Sequence, residues 1–322
     1  MIGTARPYPA TPGFTDDFHR VRDFLVRINQ GVPATPGFLW GRWEWMFSLP
    51  YLDATALSQI GIWERDGQVI AVATYETDLG SAYLLTDPEH AALLPDMLQY
   101  ALAHLARDGA IKVLVDETDR ALQRIAAASG LTATSDNEAN AVLDLTGDLS
   151  YRLPKGYRIA SIADECDLLR FDRLLHRGFS NPGLPRGTAE AVLERRTSLS
   201  GPHVDPNLNM VVVAPDDEYA AYCGIWHELG TSYALVEPVC TDPDHRRRGL
   251  GRAVVLEAAR RCRDRGAGVA FVGSDQPFYY AIGFTPHSKG IWWSNQQLRN
   301  SPPASVRGKG TLSNIYPGET FA

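Results

Sequence analysis

Five residues, Thr86-Asp87-Pro88-Glu89-His90, return with one change 155 positions later as Thr241-Asp242-Pro243-Asp244-His245. A pentapeptide alone would mean little, but each copy ends a β-rich run and opens a helix-period segment, and the elements around the two copies come in one order. In the first half, "IGIWERDGQVIAVATYE" reads as a hairpin turning at Asp66-Gly67, and "SAYLLTDPEH" as a strand. A helix over Leu93 to Arg107, a buried strand "IKVLVD", a helix "RALQRIAAASG" and a last strand "NAVLDL" come next. The second half repeats the order with "NMVVVAPDDEYAAYCGIWHE", "TSYALVEPVCTDPDH", a helix ending before Gly266, "GVAFVG", the short helix "PFYYAIGF" and "KGIWWS". Gly130 and Gly283, which close the later helix of each half, are 153 positions apart. Internal self-similarity of this kind marks a duplication. The chain therefore reads as two α/β domains, 1–150 and 151–322, joined near the turn-rich "TGDLSYRLPKG".

Length agrees, since 322 residues exceed what one hydrophobic core usually organises. A formal net charge of -7 argues against attraction of the whole molecule to nucleic acid or to an anionic membrane, so any cluster of basic residues must act locally. No apolar run approaches the roughly 20 residues of a membrane span, the N-terminus lacks a signal-peptide core, and a cytoplasmic protein is expected. Cys166, Cys223, Cys240 and Cys262 show no metal-ligand spacing and read as free buried thiols. The segment from Pro36 to Asp53, "PGFLWGRWEWMFSLPYLD", reads as aromatic packing, and the tail from Asn300 to Ala322 as a strap or a mobile end.

The chemistry is concentrated in Arg246-Arg247-Arg248-Gly249-Leu250-Gly251-Arg252, which comes after a strand and opens a helix. Such a turn presents unpaired backbone N–H groups and the positive end of a helix dipole at one spot, and glycine lets an anion reach them. The residues that would make it a P-loop or a dinucleotide fingerprint are missing, because Gly251 is followed by Arg252-Ala253-Val254. The pattern Arg-x-x-Gly-x-Gly resembles the pyrophosphate loop of the GNAT superfamily of acyl-CoA N-acyltransferases, and Phe278 to Phe284 look like that family's Phe-Tyr-x-x-x-Gly-Phe segment.

The resemblance, from about Gly156 to Trp293, implies two tandem GNAT-like domains, each a mixed, mainly antiparallel sheet flanked by helices. It implies acetyl-CoA as co-substrate, with no metal. Arg246, Arg247, Arg248, Gly249, Leu250, Gly251 and Arg252 would hold the pyrophosphate, and Val239, Cys240 and Thr241 the pantetheine arm. Tyr279, with Tyr280 as alternate, would be the acid toward the departing thiolate. Glu237 lies among apolar neighbours on the preceding strand, where desolvation would suit it to be a base, and Pro238 predicts a bulge beside it.

The first half departs from this pattern. Aligning His90 with His245 puts Ala91, Leu94 and Asp96 where Arg246, Gly249 and Gly251 stand, and Ala126 opposite Tyr279, so this half reads as a degenerate copy. The expected partner is a small-molecule amine or a protein amine, its pocket shaped by His176 to Gly187, and the expected state a monomer or homodimer. A CoA-binding regulator or scaffold without catalysis is the alternative, and a nucleic-acid module built on Arg246 to Arg248 the third reading.

Overall fold

The computed structural model describes residues 4–185 and 187–296, so the expected tail lies outside the described residues. In chain order the first elements are β1 (Arg6–Pro7), α1 (Asp16–Ile28), α2 (Trp40–Phe47), β2 (Gly61–Arg65), β3 (Gln68–Thr74) and β4 (Ser81–Thr86). They are succeeded by α3 (Leu94–His104), β5 (Lys112–Asp116), α4 (Arg120–Ala128) and β6 (Thr132–Asp144). The second series is β7 (Arg158–Ser161), α5 (Leu168–Gly178), α6 (Ala189–Ser198), β8 (Met210–Val213), β9 (Tyr219–His227) and β10 (Tyr233–Thr241). It closes with α7 (Leu250–Arg263), β11 (Val269–Val272), α8 (Pro277–Ala281) and β12 (Thr285–Ser294). Short 3₁₀ turns at Pro88–Leu93 and Pro243–His245 lead toward α3 and α7.

Two compact units result. The described part of unit 1 comprises residues 4–29, 34–139 and 288–296, and that of unit 2 residues 30–33, 140–185 and 187–287. Within unit 1 the strands run β1-β2-β3-β4-β5, then the far end of β12, then the first part of β6. Within unit 2 the sheet runs from the start of β12 and the end of β6 through β11, β10, β9 and β8 to β7. The assigned neighbours pair antiparallel except β4 with β5 and β10 with β11, which makes each sheet mixed and mainly antiparallel.

The last strand of each series is thus shared. Ala141 to Asp144 of β6 pair with β11 inside unit 2, and Gly290 to Ser294 of β12 pair with β5 inside unit 1. Both strands are longer than the sequence reading. β6 begins at Thr132, in "TATSDNEAN", whose mostly exposed side chains carry no hydrophobic alternation. Strand pairing, not periodicity, sets its length there.

In unit 2, α7 packs on β8, β9 and β10 while α5 lies against β9 and β10, so the sheet is covered by helices on both faces. Alanine and leucine favour the helix, and Val254, Ala258 and Cys262 on its inner face are fully buried. Glu257, only 4% exposed, is held by Arg260, Arg261 and Tyr151. Gly266 in the left-handed region ends the element, and the Ala267 amide returns to the Cys262 carbonyl at 3.1 Å. In unit 1, Trp40, Trp43 and Met46 of the aromatic segment are core residues. Cys223, Cys240 and Cys262 are buried thiols, but Cys166 is exposed, contrary to expectation, because it lies in the loop before α5.

Candidate active site

The parallel pair β10 and β11 is joined only over Tyr233 to Leu235, opposite Val269 to Phe271, and the strands then diverge. On its other side, β10 bulges: three steps from Val236 to Val239 answer two from Ile225 to Cys223. Glu237 and Pro238, joined by a cis peptide, form this bulge, as Pro238 predicts. Gly224 on β9 makes room for it, since a Cβ there would meet the Glu237 carbonyl oxygen at 2.6 Å and Pro238 Cδ at 3.0 Å. The Trp226 indole N–H donates to that same carbonyl at 3.0 Å. Gly224 and Trp226 are site residues the sequence reading passed over; their signal was a glycine inside a strand.

Past Thr241 the chain enters the repeated turn. Asp242 accepts the Asp244 amide at 2.9 Å, and the Arg177 guanidinium from α5 grips Asp242 at 2.6 and 3.1 Å and Asp244 at 2.5 Å. Arg247, at φ 59°, and Gly249, at φ 79°, then adopt left-handed conformations that turn the backbone into α7. For Gly249 this costs little; it caps the helix with no side chain in the way. Among the described residues, the amides from Arg247 to Arg252 donate to no partner, and the first paired one is Ala253, bonded to the Gly249 carbonyl at 3.0 Å. A row of free N–H groups at a helix N-terminus suits a phosphate.

A cleft of about 150 Å³ opens at this turn. Its lining includes Arg246, Arg247, Gly249, Leu250, Gly251 and Arg252 from the loop and helix start, and Val239, Cys240 and Thr241 from β10. Tyr279 from α8 also lines it, so eleven of the twelve expected site residues lie in or beside one cleft in the order anticipated, ten of them lining it and Glu237 close by. Arg248 turns away, donating to the Tyr157 hydroxyl at 3.0 Å and to the Asp244 carbonyl at 3.3 Å. Glu237 is half-buried in the bulge and does not itself line the cleft, though its charge acts on Tyr279. His245 and Phe278 line it too and were not anticipated.

Tyr279 is buried, whereas Tyr280 is 38% exposed, so the first of the two phenols faces the cleft. Burial, reinforced by Cys223, Glu237 and Cys240, pushes the Tyr279 phenol well above its ordinary value, so it keeps its proton at neutral pH. Burial raises the Cys240 thiol as well, which leaves it a neutral wall. Among the described residues, the side chains that gather metal-ligating atoms within 4.8 Å are Asp87, Glu89 and His90 of unit 1, none of them in the cleft. The described helices include none long and apolar enough to cross a membrane.

Residues 171–285 match the acetyltransferase (GNAT) family. Among solved structures, a tandem GNAT protein from the clavulanic acid biosynthesis pathway superposes with a TM-score of 0.59 at 17% identity, over 90% of this chain and 97% of that one. A GCN5-related N-acetyltransferase from Sphaerobacter thermophilus gives 0.53 at 16% identity, over 98% and 96%. No curated protein matches the sequence. Identities this low speak to fold. They show that the chain shares the fold of these two structures, and within it residues 171–285 match the acetyltransferase (GNAT) family.

Proposed function

We propose that the protein is a cytoplasmic N-acetyltransferase that moves the acetyl group of acetyl-CoA to a primary amine, by direct attack within a ternary complex. Residues 151–322 carry the working domain, and residues 1–150 are a degenerate copy that binds no cofactor. The observation that carries the reading is the row of unpaired amides from Arg247 to Arg252, opening beside a strand gap that Tyr279 lines. The amides take the diphosphate, β10 from Val239 to Thr241 takes the pantetheine arm, and the thioester oxygen accepts an N–H near Val239.

Holding an amine against a thioester carbon supplies several kcal/mol by itself. An alkylamine is charged below about pH 10 and must shed a proton first, a task assigned to Glu237, directly or through a water. Tyr279 donates a hydrogen bond to the sulfur as negative charge develops. Burial disfavours the phenolate and the thiolate alike: desolvation of the thiolate favours a proton on sulfur, while the raised phenol resists giving its own up, so Tyr279 acts first as a hydrogen-bond donor to the sulfur. The acceptor is a small-molecule amine or a protein amine, a cation being favoured by the net charge of -7.

Calorimetry with acetyl-CoA, combined with thiol release over a panel of polyamines, aminoglycosides and lysine peptides, tests the reading. Glu237→Gln and Tyr279→Phe should each lower turnover by about 100-fold or more while leaving cofactor uptake in place. Rates within about twofold of wild type would remove those roles. Uptake without turnover of any amine would instead favour a CoA-binding regulator or scaffold.

A further inference from the structure

Tyr157 stands just before β7, outside the cofactor loop, yet its hydroxyl joins two side chains of that loop. His245 Nδ1 lies 2.9 Å from it and Arg248 Nη1 3.0 Å. The Tyr157 and His245 rings meet edge to face, with centroids 5.8 Å apart. Arg248 is also tied to the Asp244 carbonyl, so its guanidinium is fixed in place beside the phenol.

The chemistry of these groups orders the hydrogen bonds. A guanidinium has donors only, so the Tyr157 oxygen accepts from Arg248, and its own proton is available to His245 Nδ1. The nearby positive charge makes that O–H a stronger donor. A neutral imidazole that accepts at Nδ1 carries its hydrogen on Nε2. His245 lines the cleft beside the unpaired amides, and among the described residues its Nε2 has no protein partner.

We infer that His245 is a further phosphate-binding residue, offering Nε2–H to a phosphate oxygen of the acyl-CoA, and that Tyr157 is the positioning residue that fixes its tautomer under the hold of Arg248. The inference rests on the acyl-CoA reading above. CoA carries a diphosphate and a ribose 3′-phosphate, and one N–H donor suits either.

The test uses the full chain titrated with CoA and with 3′-dephospho-CoA. The side-chain nitrogen of glutamine falls near Nε2 of a histidine, and that of asparagine near Nδ1. His245→Asn should therefore weaken CoA binding about tenfold, the loss of one hydrogen bond to a charged group, while His245→Gln keeps most of the affinity. Ring ¹⁵N spectra of His245 should show the Nε2–H tautomer in wild type and a mixture in Tyr157→Phe, with CoA affinity reduced in that variant as well. An asparagine penalty that vanishes with 3′-dephospho-CoA assigns the contact to the 3′-phosphate, and one that persists assigns it to the diphosphate. Asparagine and glutamine variants that both bind CoA within about twofold of wild type, or an Nδ1–H tautomer in wild type, would overturn the inference while leaving the acyl-CoA reading intact. Wild type that takes up neither compound would remove that reading, and this one with it.

Discussion

At Asp87 and at Asp242 the chain makes the same move: each carboxylate accepts the amide two residues on, at 3.1 and 2.9 Å, and each opens a 3₁₀ turn with proline at its start. Beyond those turns the two copies part. In unit 2, left-handed Arg247 and Gly249 swing the backbone outward and leave its amides unpaired. In unit 1, the residues at the corresponding positions are Ala92, which is exposed, and Leu94, which is buried, and the turn leads into α3 with the Leu94 amide bonded to Ala91. Asp96 then places a negative charge in the first turn, where a phosphate would have to lie.

The strand gaps diverge in parallel. β4 pairs with β5 only at Ser81 and Ala82, and Tyr83, the next residue of β4, is part of a buried cluster of charged side chains. Arg42 donates to Glu76 at 2.5 and 2.7 Å, to Glu138 at 2.8 and 3.3 Å and to Tyr83 at 2.8 Å. Unit 2 thus has a cleft beside the end of its parallel pair, and unit 1 has a buried ionic cluster at Tyr83, next to the end of its own. On the acyl-CoA reading, binding is lost from unit 1 through a few residues that spend the backbone donors on the helix, with the fold left standing.

The largest effect should come from breaking the buried ionic cluster of unit 1. Arg42→Met leaves two buried carboxylates facing one another and should cost about 3 to 5 kcal/mol in chemical denaturation; a loss below about 1 kcal/mol would show that the cluster is incidental. Next comes Gly251→Asp, which gives unit 2 the residue of unit 1. A Cβ there already meets Phe278 and the Thr241 hydroxyl at 3.2 Å, and the charge opposes the phosphate, so CoA affinity should fall about 100-fold and CoA should cease to raise Tm. Retention of wild-type affinity would break the contrast between the loops.

A smaller contrast concerns pH. Burial pushes the Glu76 carboxyl up despite Arg42, so its share of stability is full below the ordinary carboxylate range and declines as pH rises through the raised value. Glu257 is opposite: burial alone would raise it, but hydrogen bonds from Arg260, Arg261 and Tyr151 hold it low, so its share is present above that range and is lost on acidification. Urea titrations from pH 4 to 7, comparing wild type with Glu76→Gln and with Glu257→Gln, should give differences of opposite slope; equal slopes would contradict it. The smallest effect belongs to the exposed pair of Lys112 and Asp136, where Lys112→Ala should change stability by no more than about 1 kcal/mol.

Much of the site was legible because its determinants are local. A strand ending in Asp-Pro, three arginines, glycines at 249 and 251 and a helix-period run all lie within about 25 residues, and a proline beside Glu237 announced the bulge. Tyr279 was found through its short helix, but the choice between it and Tyr280 turns on which phenol faces inward, and the packing of α8 decides that. Gly224, Trp226 and Tyr157 escaped notice because each meets the site across strands or from a distant loop. The partnership of Arg42 with Glu76 and Glu138 escaped for the same reason: residues up to 96 positions apart share one buried cluster, and no spacing rule connects them.

The sequence by itself carried the repeated order of elements, the mixed α/β layers and the glycine-bearing turn that opens α7, because periodicity, capping residues and glycine placement act over a few residues at a time. Only the tertiary structure decided how the last strands are shared, with Ala141 to Asp144 completing the sheet of one unit and Gly290 to Ser294 that of the other. A strand's partner is chosen by backbone hydrogen bonds that any residue but proline can make, so side-chain pattern carries little record of it. The same holds for a buried charge, whose stability depends on counter-ions that the fold brings from elsewhere in the chain.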